Sequence, residues 1–195
     1  MNYLFKNTIM TKKQILMLSL SLCMGFATLA QKSELKAAEK ALKKSDFTAV
    51  LSALNQAEGL IGNADKKSKA KYYFLKGKAL YANGVNVDIE GVAKAFNNLL
   101  KVEGNSGSAY SSEAGTILNG LIQAEAKKAQ NNFNTAKESS NPENYKSAAQ
   151  GFEKVYLLSP ADTSFLYNAA LVYSFGKDYA KSNEKYQELL DMGFT

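Results

Sequence analysis

Through most of the chain, apolar residues return three and four places apart, the spacing that gathers them onto one side of an α-helix. Val50, Leu51, Leu54, Ala57 and Leu60 do so in one window. Ile89, Val92, Phe96, Leu99 and Leu100 do so in another. Strand-like alternation is almost absent. The two prolines of the chain, Pro142 and Pro160, both stand where a helix is expected to be interrupted. The pattern predicts an all-α fold.

Eight helices are expected, over residues 33–44, 47–61, 67–82, 88–102, 111–137, 143–158, about 163–175 and 179–192. Gly62-Asn63 is expected to end the second helix through a left-handed exit, and Asn83-Gly84 to close the third. Gly104 to Ser108 is the clearest loop. The fifth segment reads as one helix or two. Its first half is apolar through Ile117, Leu118, Leu121 and Ile122, and its second half, Ala124 to Lys137, is rich in Ala, Asn and Lys and reads as more exposed. Ser159-Pro160 ends the sixth helix, because the residue before proline is pushed out of helical geometry. Asp162 or Thr163 is the expected cap of the seventh. Turns this short make antiparallel hairpins. Each hairpin has apolar residues on more than one side, so stacking on its neighbour is the way to bury them.

A register runs through the last third. Tyr145 and Tyr179 are 34 residues apart, and so are Phe152 and Tyr186. Small residues keep the same phase, Ala148 with Ser182 in the two second helices and Ala169-Ala170 in the helix between them. Tyr173 follows in that helix, and Pro160 stands at the exit of the preceding unit. This region resembles the tetratricopeptide repeat family, whose 34-residue unit is two antiparallel helices with small and aromatic residues at fixed places. Val155 stands where that family usually has Ala, Leu166 and Ala169 where it prefers Trp and Leu, Ala170 where it prefers Gly, and Ser182 where Ala is usual. The small side chains allow close approach of paired helices and the aromatics fill the spaces beside them.

The first half follows more loosely. Phe47, Val50, Leu54 and Ala57 resemble a second helix of the unit, and Tyr73, Gly77 and Tyr81 a first helix, followed by Ile89, Val92, Phe96 and Leu99. Leu54 to Phe96 spans 42 residues and Phe96 to Phe152 spans 56, so longer loops and an extended fifth helix are expected there. The resemblance implies antiparallel hairpins stacked as an α-solenoid; a non-repeating helical bundle is the alternative. The segment after Leu190 reads either as the exit toward another unit of a longer chain or as the end of a capping helix.

The first 30 residues read as an export signal. Lys6, Lys12 and Lys13 precede an apolar run from Ile15 to Ala27, and Thr28-Leu29-Ala30 supplies small residues before Gln31. The run is shorter than the roughly 20 residues that cross a bilayer as a helix. Cleavage near Gln31 is expected, with an uncleaved membrane-associated helix as the alternative; Met10 is an alternative start. Cys23 follows bulky Leu22 inside the run, which suits a signal core better than a lipidation site. Residues 31–195 are then a single exported domain, in the periplasm, the cell envelope or the medium.

Three of the 24 lysines fall in that signal and no acid does, so 21 lysines face 18 acids in the remainder. Arginine, the side chain best suited to phosphates and base edges, is absent. Nucleic acid is therefore not an expected partner. Lys66, Lys67, Lys69 and Lys71 read as the solvated start of a helix. With no His, and its one Cys in the signal, the chain carries no Ser-His-Asp or Cys-His set and no usual zinc-ligand cluster. Glu184 and Glu188 share a helix face at a spacing common on solvated surfaces. Gly104 and Gly107 lack the strand and Lys-Ser/Thr of a phosphate loop. No enzyme activity, cofactor or small-molecule substrate is expected.

The resemblance implies a concave face, lined by the first helices of each unit, that binds protein or peptide. Tyr72, Tyr81, Tyr167, Asn168 and Lys78 are the candidates for partner contact, with Tyr73, Tyr173 and Lys71 on the same helices. Gly77, Phe96, Tyr145, Ala148, Phe152, Pro160, Ala170, Tyr173, Tyr179, Ser182 and Tyr186 are the expected repeat-packing positions. The other function class considered is a structural subunit or accessory module of an envelope assembly.

Overall fold

The computed structural model describes residues 31–104, 107–139 and 141–194. The segment read as an export signal lies outside the described residues. Helix α1 occupies residues 31–42. It is followed by α2 (Phe47–Ile61), α3 (Lys66–Tyr81), a 3-10 turn (Ala82–Gly84), α4 (Ile89–Glu103), α5 (Ala109–Ser139), α6 (Pro142–Leu158), α7 (Ser164–Phe175) and α8 (Tyr179–Asp191). Among the described residues there is no strand, and no helix is long and apolar enough to cross a membrane.

Aspartates start most of these helices. Asp46, Asp65, Asp88 and Asp178 accept the backbone N–H groups of Ala49, Ser68, Gly91 and Lys181 at 2.8–3.2 Å. Each bond satisfies a helix-end donor that has no partner inside the helix, worth about 1 kcal/mol. Asn141 does the same for α6, which has Pro142 in its first turn. Of the two residues expected to cap α7, Asp162 makes the bond, accepting from Ser164 N–H and Oγ; the Thr163 side chain makes none.

The expected left-handed exit after α2 does not form. Gly62 is right-handed (φ −55°), and Asn63 has no positive φ, so the chain leaves in a loose right-handed turn. The exit from α3 is left-handed through three residues in succession, Ala82, Asn83 and Gly84. The buried side of α2 also lies slightly round the helix from the expected one: Ala53 and Ile61 are buried, while Leu51 and Leu60 are half-buried.

The fifth segment is one helix of 31 residues, about 46 Å long at 1.5 Å per residue. Its second half is not simply exposed. Ala129 and Ala136, seven residues apart, are fully buried, while Lys127, Lys128, Gln130 and Asn131 stay in solvent. This helix joins two apolar cores. The larger is built by α1 to α4 with Ala114 and Leu118 of α5 and Leu158 of α6. The smaller gathers Ala129 of α5 with Ala148, Ala149 and Phe152 of α6 and Ala169, Val172 and Tyr173 of α7. The extra turns of α5 also explain why Phe96 and Phe152 are more than one 34-residue period apart.

Antiparallel neighbours stack into two layers. Odd-numbered helices meet through Lys71–Glu39 (α3–α1, 2.5 Å), Lys78–Glu113 (α3–α5, 2.7 Å), Phe74 stacked on Tyr110 (α3–α5, 4.5 Å) and Phe133 stacked on Phe175 (α5–α7, 5.9 Å). Even-numbered helices meet through Asn97 donating to the Leu157 carbonyl (α4–α6, 2.9 Å) and the Lys185–Glu153 ion pair (α8–α6, 3.2 Å). The architecture is all-α, of stacked helix hairpins.

Candidate partner-binding face

The odd-numbered layer carries the sequence-predicted contact residues, and the structure sorts them. On α3 the residues at i, i+4 and i+11 from Lys67 lie on one stripe, which places Lys67, Lys71 and Lys78 together, with Phe74, buried against Tyr110 of α5, between them. The Lys71 and Lys78 side chains are largely covered and end on carboxylates of the adjoining odd helices, Glu39 and Glu113. The face thus offers a row of ion pairs across α1, α3 and α5. Tyr81 sits at the end of this row, half-buried against the larger core.

Tyr72 lies elsewhere. It is 2% exposed and turned toward α2, where its hydroxyl shares Glu58 with Lys76 (3.4 and 2.9 Å). The Lys76 ammonium also lies over the Tyr72 ring, 5.5 Å from its centre. An aromatic at that register position packs between helices, so Tyr72 is not part of the row. Tyr73 meets it edge-on at 5.4 Å.

On α7 the outward arc holds Tyr167, Asn168 and Leu171. Tyr167 is exposed, with its ring 6.0 Å from Tyr186 and 5.9 Å from Phe194. Asn168 is half-buried beside it. Tyr173 is on the opposite side of α7, buried, and donates its hydroxyl to Glu153 at 2.9 Å.

Most of the repeat positions are buried or half-buried, and two, Pro160 and Tyr179, are not. A Cβ built on Gly77 would fall less than 3.0 Å from three carbons of the Phe96 ring, so α3 and α4 approach as closely as they do only because residue 77 has no side chain. Ala148, Phe152, Ala170 and Ser182 are buried. Tyr145 is half-buried, with its ring 6.2 Å from Phe133 and 6.3 Å from Phe175. Tyr186 is half-buried, Pro160 is exposed, and Tyr179 is the most exposed of the set.

Sequence reading missed three features. Gly151 brings α6 against Ala129, where an added Cβ would lie 2.8 Å from the alanine methyl. The alanine spacing 129–136 was a legible hint that this half of α5 has a packed side. Glu103 is buried at the end of α4 and accepts from Ser108 Oγ just before α5, a contact that sequence reading did not anticipate. A groove of about 430 Å³ also runs between α4, α5 and the α6–α7 turn, lined by Asn97, Leu100, Leu118, Ile122, Leu158 and Pro160. Its residues come from three separate segments, so no local motif marks it.

At the α6–α7–α8 contact Glu153 accepts from the Tyr173 hydroxyl and pairs with Lys185. Burial, and then Glu153, push the Tyr173 hydroxyl well above the ordinary tyrosine range. Burial by itself lowers the Lys185 ammonium, but its bonds with Glu184 and Glu153 outweigh that and raise it. Both groups hold their protons more tightly when folded. Their contribution to stability is therefore complete at neutral pH and is lost as pH rises above about 10, where the unfolded chain releases the same protons first. Denaturant titrations between pH 7 and 11 should show stability falling at the alkaline end, and Tyr173→Phe should make that fall shallower. An unchanged alkaline slope in the variant would contradict the assignment.

Among the described residues no group of three or more His, Cys, Asp or Glu is placed to hold a metal ion. Compared with protein-family models, with curated proteins and with solved structures, the chain matches none.

Proposed function

We propose that this chain is a non-catalytic scaffold of the tetratricopeptide type, exported to the cell envelope, whose odd-numbered helix layer receives a protein or peptide partner. The observation that carries the reading is the row of polar groups on that layer. It puts ion pairs of both signs on α1, α3 and α5, and the Tyr167–Asn168 pair on α7. Such a surface suits an extended polypeptide. Lys71 and Lys78 can exchange a cis carboxylate for one of the partner's, Asn168 offers both a donor and an acceptor for a peptide group, and Tyr167 adds apolar area with a polar tip. The family likeness rests on the 34-residue register and on buried small residues at Ala148, Ala170 and Ser182. Export rests on the pattern of the first 30 residues.

The test is a pull-down from envelope extract with the wild-type chain and with Lys78→Glu and Asn168→Ala. A partner held by the face should bind about tenfold more weakly to either variant, the loss expected when one well-placed contact of about 1.4 kcal/mol is removed. Equal capture by all three chains would sink the reading. Capture of a fixed envelope complex that competing peptides do not displace would favour the second function class, a structural part of an assembly. Exposed apolar residues along α8 favour that class.

A further inference from the structure

Seven of the eight large apolar residues exposed among the described residues lie between Leu157 and Phe194, so the exposed apolar surface is concentrated at one end of the stack. Tyr179 and Leu190, each 60% exposed, lie on one stripe of α8 with Asn183, Tyr186 and Gln187. That stripe contains no charge. Lys181, Glu184 and Glu188 occupy the side of α8 turned away from it, Asp191 borders the stripe and accepts from Gln187 Nε2 at 2.8 Å, and the remaining side, with Ser182 and Leu189, is buried.

The 34-residue register says what such a stripe does. Its counterparts on α6 are Tyr145, Ala149, Phe152, Glu153 and Tyr156. They form the surface on which α7 and α8 pack. Tyr145 meets Phe175 and Gly176, and Ala149 is fully buried. Glu153 takes Tyr173 and Lys185, and Tyr156 reaches the Met192 sulfur at 3.3 Å. The α8 stripe thus continues an interface that the fold already uses to seat helices.

Its chemistry differs at one decisive place. Glu153 accepts from a tyrosine and a lysine, and Gln187 stands in its register position. An amide both donates and accepts, so it suits an identical stripe and no longer matches a cationic helix pair.

We propose that a second copy of this chain occupies the stripe, with α8 packed antiparallel on α8 about a twofold axis. In that arrangement Tyr179 of one copy lies against Leu190 of its partner, and Asn183 lies against Tyr186 and Gln187, so apolar meets apolar and amide meets amide or hydroxyl. Lys177, before α8, comes opposite Asp191 at the far end, and the two helix dipoles oppose. Tyr167 and Phe194, both exposed, extend the patch beside the helix. This association leaves the ion-pair row of α1, α3 and α5 uncovered and shares only Tyr167 with the α7 end of the odd-numbered face.

Sedimentation equilibrium of the full chain over a hundredfold concentration range tests it. The expected result is a reversible species of twice the 21.2 kDa chain mass. Tyr179→Lys and Leu190→Lys should each weaken it at least tenfold, while Lys40→Glu, on the exposed side of α1, leaves it unchanged. All variants should keep the wild-type helical circular dichroism, since positions 179 and 190 are exposed. A monomer at every concentration would overturn the proposal. So would a dimer indifferent to both α8 variants. A monomer whose α8 amides become protected from hydrogen exchange only when a different envelope protein is added would assign the stripe to that protein instead.

Discussion

Gly77→Leu is expected to abolish the native packing of α3 on α4. A Cβ at residue 77 would already overlap the Phe96 ring, and leucine adds three further carbons in the same direction. The ring has nowhere to go, because Phe96 is fully buried among Val92, Leu99 and the other residues of the larger core. Two effects compete. Replacing a glycine inside a helix gains about 0.5–1 kcal/mol from backbone entropy. Overpacking a filled core costs about 1–3 kcal/mol, and more when the clash is with a ring that cannot turn. Even Gly77→Ala should be a net loss, and leucine should exceed what the structure absorbs. Thermal unfolding followed by circular dichroism is the measurement; a leucine variant melting within a degree or two of wild type would show that the close approach is not required. Because the cause is a pairwise collision, Phe96→Leu should partly rescue Gly77→Ala, with the double variant more stable than the two single losses added together.

Phe96→Ala is expected to cost about 3–5 kcal/mol, the usual range for emptying a fully buried phenylalanine site. Domains of this size have about 5–15 kcal/mol to lose. The melting temperature should drop by about 10 °C, at about 2–4 °C per kcal/mol for a chain of this length. The cavity would open beside Gly77, which has no side chain to collapse into it, so the upper part of the range is expected. Urea unfolding should show a lower midpoint with an unchanged slope. A loss under 1 kcal/mol would mean that Phe96 does not hold α3 and α4 together. The smaller core around Ala129 and Phe152 is reached from Phe96 only through α5 and α6. Hydrogen exchange in the variant should therefore rise more in α3 and α4 than in α7 and α8.

Much of this architecture is legible in the chain. Helical spacing of apolar residues marks most of the helices, and aspartates before α2, α3, α4, α7 and α8 mark where those start, because a short acceptor side chain satisfies the first free N–H groups. The 34-residue offset aligns α6 with α8, and the small residues Ala148, Ala170 and Ser182 stand at buried positions. Between Phe96 and Phe152 the departure from 34 comes from the uninterrupted length of α5, while between Leu54 and Phe96 it precedes α5, where the chain makes the extra turn Ala82–Gly84 before α4. Within Ala124 to Lys137 the seven-residue spacing of Ala129 and Ala136 hints at a narrow packed seam, but what packs on it does not show there, since its partner, Gly151, lies beyond the next turn.

The candidate face was less legible. Tyr72 and Tyr81 belong to the same helix and the same residue type, yet the first is enclosed against α2 and the second lies at the end of the ion-paired row. Lys71 and Lys78 could be placed on one stripe by counting residues. That both would end on carboxylates of flanking odd helices depends on α1 and α5 lying to either side.

What the sequence determines by itself is local: which segments are helical, where they begin, and that successive helices must stack to bury more than one apolar side. Periodicity and capping act within one helix, so they survive without tertiary information. Only the tertiary structure decides which tyrosines are packing and which are surface, and which lysines are paired. It also decides that the two cores are joined by one long helix. Those outcomes depend on rotation about each helix axis. A shift of one residue turns a side chain by about 100°, enough to move it from one neighbour to another or into water.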